Sequence, residues 1–192
     1  LEAALKHFQA AMDINPTFAD ARFNRAVTLN EMGRPDQAIA AYRSVLKIDP
    51  LHAGALNNLG GLLIAAGDVT GGIPYCRRAL QVDPALADAH NNLGVAFYRQ
   101  GRYPQAAAQF RKALSLTPRD SEARVTLAEV LDRMGDPAAA AAQYELAVAT
   151  TPQNTTVLAR AGAFFLRNTY FQTASAAWAD RILYGGDQAD AY

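Results

Sequence analysis

The sequence predicts an all-α array of stacked helical hairpins, and three observations carry that reading. Proline recurs at Pro16, Pro50, Pro84, Pro118 and Pro152, each 34 residues after the last. A fixed period of this length belongs to repeat architectures, in which one hairpin is used again and again, rather than to a single globular core. Glycine stands between the prolines at Gly33, Gly67, Gly101 and Gly135, where left-handed backbone ends one helix before the next begins. Hydrophobic residues make up 51% of the chain, enough to fill the interior of such a stack.

Numbering positions so that proline falls at 32 gives full repeats at 19–52, 53–86, 87–120 and 121–154, and a divergent one at 155–188. Residues 1–18 fit the second half of an earlier repeat. Residues 189–192 open a further one, since Ala189-Asp190-Ala191 repeats Ala19-Asp20-Ala21 and Ala87-Asp88-Ala89. The expectation is a single array over 1–192, taken from a longer protein. Position 8 is small throughout (Ala26, Gly60, Gly94, Ala128, Gly162), as is position 20 (Ala38, Gly72, Ala106, Ala140, Ala174). Small residues there let two helices approach to about 8–10 Å. Position 24 supplies a large plug: Phe8, Tyr42, Phe110, Tyr144 and Trp178, with Cys76 as the exception. Positions 4, 7, 8 and 11 share one helical face, as do 20, 24 and 27. Pro35, Pro104 and Pro137 sit at the start of the second helix, where a missing N–H costs nothing.

The pattern resembles the tetratricopeptide repeat family. Its clearest unit runs Ala87-Asp-Ala-His-Asn-Asn-Leu-Gly94, then Phe97, Gly101, Ala106, Phe110, Ala113 and Pro118. Periodicity alone gives stacked helix pairs. The resemblance implies more: a right-handed superhelical solenoid of antiparallel pairs, with the first helix of each lining a concave groove.

Lys plus Arg equals Asp plus Glu at 18 each, so there is no global field to draw nucleic acid or an anionic membrane. No apolar run approaches the length of a membrane span, and no insertion is expected. A lone cysteine, Cys76, rules out an internal disulfide; the compartment stays open, with the cytoplasm favoured. His7, His52 and His90 lack partners at ligand spacing, so neither metal nor cofactor is expected. No phosphate loop, nucleophile elbow or HExxH motif occurs, and no catalytic residue is assigned.

The candidate site is a groove for a protein or peptide partner. Asn24, Asn58 and Asn92 share position 6 of successive repeats, and Asn57 and Asn91 add a second amide at position 5. Amides carry donors and an acceptor together and can hold an extended main chain. The family geometry turns both positions toward the groove, and the row is similar to the asparagine ladder in the tetratricopeptide arm of O-linked GlcNAc transferases. By the same rule Val95, Tyr98, Arg99 and Arg133 face the groove, with Gly61 and Ala65 leaving room for a ligand side chain. Arg160 and Arg167 make its distal end basic. The basic residues of a carboxylate clamp are missing in every register, so strong binding of an acidic C-terminal tail is not expected. The leading expectation is a non-catalytic module that takes an extended peptide or a helix. The alternatives are a scaffold that self-associates through the C-terminal repeat, rich in rings from Phe164 to Tyr184, and the substrate-recruiting arm of a larger enzyme such as a glycosyltransferase. Gly71, Gly72 and Pro74 make repeat two the expected weakest interior hairpin.

Overall fold

A computed structural model describes residues 1–168. These form ten α-helices and no strand. The chain divides into two compact units, Leu1–Leu116 and Thr117–Tyr192.

The first unit holds α1 (Glu2–Ile14), α2 (Ala19–Glu31), α3 (Pro35–Ile48), α4 (Ala53–Ala65), α5 (Val69–Val82), α6 (Ala87–Arg99) and α7 (Tyr103–Leu116). Within this unit α2 pairs with α3, α4 with α5 and α6 with α7, while α1 meets α2, α3 meets α4 and α5 meets α6. Punctuation falls where the sequence places it. Gly33, Gly67 and Gly101 have φ of +69°, +97° and +70°, backbone that costs an L side chain about 1–2 kcal/mol. Asn15, Asp49 and Asp83 precede prolines and end α1, α3 and α5 in extended backbone, because the proline ring disfavours helical geometry in the residue before it. Their side chains then accept a hydrogen bond from the backbone N–H two residues on, at 3.1, 3.0 and 2.9 Å.

The core is built from the small and plug positions. Ala26, Leu29, Ala38, Ala41, Tyr42, Val45, Ala55, Leu59 and Leu63 form one buried cluster across α2, α3 and α4. In the third pair the Phe110 ring lies on Gly94, where an added Cβ would fall 2.8 Å from it. The second pair solves the same problem differently. A Cβ on Gly72 would come within 2.6 Å of the Gly60 carbonyl oxygen, and one on Gly60 within 2.5 Å of Cys76 Sγ. The glycines and the small thiol are therefore one device that brings α4 and α5 together closely. Asp68 caps α5, accepting from Gly71 N–H at 2.9 Å.

The second unit, described through Asn168, holds α8 (Ser121–Arg133), α9 (Pro137–Thr150) and α10 (Thr155–Arg167). Gly135 turns at φ +79°. Asp120, Asp136 and Asn154 cap the three helices through backbone N–H groups at 2.9–3.1 Å. Tyr144 is the plug, with ring centroids of Phe164 and Phe165 at 4.8 and 6.3 Å. Phe164 and Phe165 are buried. The remaining rings of the divergent repeat, Tyr170, Phe171, Trp178 and Tyr184, lie outside the described residues.

A second regularity joins neighbouring repeats. Arg22 and Arg124, both at position 4, donate to the carbonyl of the proline six residues earlier, at 2.7 and 2.6 Å. His90 Nε2 lies 3.4 Å from the Pro84 carbonyl oxygen, and its Nδ1 meets Gln109 Oε1 at 2.8 Å. In the second repeat an apolar pair replaces the polar one: Leu56 is fully buried with Tyr75 packed beside it.

Candidate functional site

The face of α2, α4 and α6 turned away from their partner helices carries the sequence-predicted residues of the first unit. Positions 3, 8 and 11 of these helices are buried, as in Ala89, Gly94 and Phe97 of α6, while Asp20, Asn24, Glu31, Ala65, Asp88 and Arg99 are exposed. Asn58, Asn91, Asn92, Val95 and Tyr98 are half-buried.

Asn57 is different: it is 5% exposed and belongs to the floor of this face. Its Oδ1 accepts from Asn92 Nδ2 at 2.9 Å, and its Nδ2 donates to Asn58 Oδ1 at 3.1 Å. Asn58 Nδ2 in turn donates to the Tyr42 hydroxyl at 3.0 Å. One chain of amides thus runs from α6 through α4 to α3. Burial pushes the Tyr42 hydroxyl above its usual pKa; the bond from Asn58 works against this and the nearby Glu31 adds to it. The space expected over Gly61 is taken by Asn92, whose Nδ2 would lie 2.8 Å from an added Cβ. A ligand therefore meets a closed amide surface there instead of a hole.

Arg99 is also engaged within the protein. Its Nη1 donates to the carbonyl of Ile64, and lies 3.5 Å from that of Ala65. These are end carbonyls of α4, which have no partner within the helix, and a guanidinium there also meets the negative end of the helix dipole. The half-buried Tyr98 ring sits 5.8 Å from that of Tyr103.

In the second unit Arg133 is exposed. The arginines expected to make that end basic are paired. Arg160 meets Glu122 and Glu129, each at 2.9 Å, and Arg167 meets Asp132. The face of α8 and α10 is a mixed ion-pair surface rather than a basic one.

These internal bonds are not visible in a position-by-position reading of the repeat. One signal was available: Asn57 to Asn92, Ile64 to Arg99 and Asp132 to Arg167 are all 35 residues apart, one period plus one. Cys76 is fully buried, and burial pushes its thiol up to about 12. Among the described residues no group of three or more His, Cys, Asp or Glu could hold a metal ion, and no helix is long and apolar enough to cross a membrane.

Helix pairs of this length, with turn glycines, a ring on a small residue and a closing proline, define a helical-hairpin repeat protein. Family models described as tetratricopeptide repeat match residues 1–59, 29–71, 51–119 and 91–155, and the chain belongs to the tetratricopeptide repeat family. Its fold is that of the family's solenoids, as the solved structures agree. TTC0263 of Thermus thermophilus, a thermophilic repeat protein, is 25% identical over 86% of this chain and 90% of that one, with a TM-score of 0.72. Pseudomonas aeruginosa pilF is 25% identical over 88% and 77%, with a TM-score of 0.74. YrrB, described as having an unusual peptide-binding site, is 20% identical over 95% and 93%, with a TM-score of 0.70. No curated protein matches the chain.

Proposed function

We propose that the chain is a non-catalytic interaction module, and that the face of α2, α4 and α6 binds an extended peptide or a helix. The fold is one whose members serve protein interaction, and among the solved relatives YrrB is described as binding peptide. The observation that carries the reading is the amide chain Asn92–Asn57–Asn58–Tyr42. It fixes these side chains before a ligand arrives, so the ligand does not bear the cost of ordering them, about 0.5–1.5 kcal/mol for each immobilised side chain. Asn24 and the half-buried Tyr98 then supply contacts that no hydrogen bond described above consumes, with Val95 as an apolar residue on the same helix as Tyr98. The same internal bonds change which residues test the idea. Replacing Asn58 or Asn92 breaks bonds within the protein as well as changing the surface, whereas Asn24 is exposed and Tyr98 meets only the Tyr103 ring among the contacts described above.

The test is a peptide-array screen with the whole chain, followed by titration of the best hits against an Asn24→Ala/Tyr98→Ala variant. Affinity should fall roughly tenfold or more, as loss of an aromatic contact at an interface centre typically does, with helicity unchanged. Hits that bind the variant as tightly as the parent would refute this face as the site.

A further inference from the structure

We propose that the second helices of the first unit, α3, α5 and α7, form a separate docking surface for an acidic, partly apolar protein segment. Arg43, Arg77 and Arg111 occupy position 25 of these three helices, so the repeat operation sets them on the same face of each. All three are exposed, as are Lys47, Arg78 and Lys112 on the same helices. Asp36 is the only Asp or Glu that α3, α5 and α7 contain.

This charge is not answered within the described protein. Arg43, Lys47, Arg77, Arg111 and Lys112 make no ion pair there, in contrast to Arg160 and Arg167. Arg78 reaches only the Pro50 carbonyl, at 3.0 Å. In the turns that flank α3 and α5, Asp49, Asp68 and Asp83 use an oxygen on a backbone N–H at 3.0, 2.9 and 2.9 Å. The first unit as a whole carries twelve Lys and Arg against nine Asp and Glu, so the balance of the full chain conceals a local excess. α9 has Glu145 at position 25, and the row ends with the first unit.

Charge complementarity selects an acidic partner, and the surroundings select its class. Ile48, Leu51 and Val82, at the C-terminal ends of α3 and α5 and in the turn after α3, are 36%, 65% and 41% exposed. Aliphatic side chains gain little from a sugar–phosphate backbone, and nucleic-acid surfaces of this kind interleave aromatic rings with the basic residues. No ring is exposed on α3, α5 or α7, whereas membrane-surface helices present Trp, Phe or Leu along one continuous face. Carboxylates interleaved with aliphatic side chains match what is there: an acidic amphipathic segment lying across the helices.

The test uses the whole chain and a labelled, C-terminally amidated amphipathic peptide rich in Glu and Leu, with a Lys-for-Glu analogue as control. Amidation removes any contribution from a terminal carboxylate. The acidic peptide should bind and the basic one should not, and binding should weaken as salt rises through about 0.1 M, where the screening length is about 10 Å. Arg43→Gln/Arg77→Gln/Arg111→Gln should lower affinity roughly tenfold or more with unchanged helicity; Lys47→Gln/Lys112→Gln, a lighter change, should lower it less. Asn24→Ala/Tyr98→Ala should bind the acidic peptide as the parent does, which separates this surface from the amide face. Undiminished affinity in both arginine and lysine variants would overturn the proposal. So would tighter binding to phosphatidylserine vesicles or single-stranded DNA that the acidic peptide fails to displace.

Discussion

The buried Asn57 side chain accepts from Asn92 and donates to Asn58, so its removal leaves a polar group of each of these half-buried residues without that partner. A buried group stripped of its partner costs about 1–3 kcal/mol. Asn57→Ala should lower unfolding free energy by roughly that amount, read from urea melts, and Asn24→Ala should not. Cys76 makes a second residue-level prediction. Burial pushes its thiol from the ordinary 9.0 up to about 12. A raised pKa means that the folded state holds the proton more tightly. The contribution is therefore fully present below pH 9 and is lost as pH rises toward 12, by up to about 1.4 kcal/mol per unit. Denaturant midpoints measured across that window should fall, and Cys76→Ala should flatten the fall. A slope would remain from Tyr144, raised by burial from 10.0 to about 12. At this scale the sequence was half legible. Position 6 marked Asn58 and Asn92 as groove candidates, and both are half-buried. It could not reveal that Asn92 folds over Gly61, because an asparagine that meets water and one that meets another asparagine look alike in a list of residues.

Among the helices, α5 is the one where competing effects can be compared. Gly71 and Gly72 each cost about 1 kcal/mol relative to alanine, and Pro74 within the helix has no N–H to donate. Against this stand the Asp68 cap and a glycine contact that no larger residue could make. The contact holds α5 to α4 but restores neither the missing donor nor the backbone entropy. Amides of α5 should therefore exchange roughly tenfold faster than those of α3 and α7, the factor that about 1.4 kcal/mol implies. Equal protection in hydrogen exchange across the three helices would refute this. Helix order, turns and most ends were readable in advance, since Gly33, Gly67, Gly101 and Gly135 take left-handed backbone for a reason local to each turn. What escaped was the purpose of Gly72. Propensity treats it as a defect, and only the distance to Gly60 shows it as a fit.

For the molecule as a whole, five prolines in one register and a ring paired with a small residue were enough to give the class of fold, because each repeat restates the same packing problem. The charge layout was not legible in the same way. A total of zero hides a first unit whose α3, α5 and α7 carry an unanswered row of arginines and a second unit in which Arg160 and Arg167 are tied to glutamate and aspartate. The joint at Tyr42 bears on how such a molecule changes length. Excision of residues 53–86 would bring Asn91 and Asn92 to the places that Asn57 and Asn58 now hold, offering the same tyrosine hydroxyl the same pair of amides. Loss of that unit would keep the tyrosine's own polar neighbours spelled correctly while Thr126 moved to the place Asn92 now holds, so an array shortened there retains this joint and forgoes the third amide.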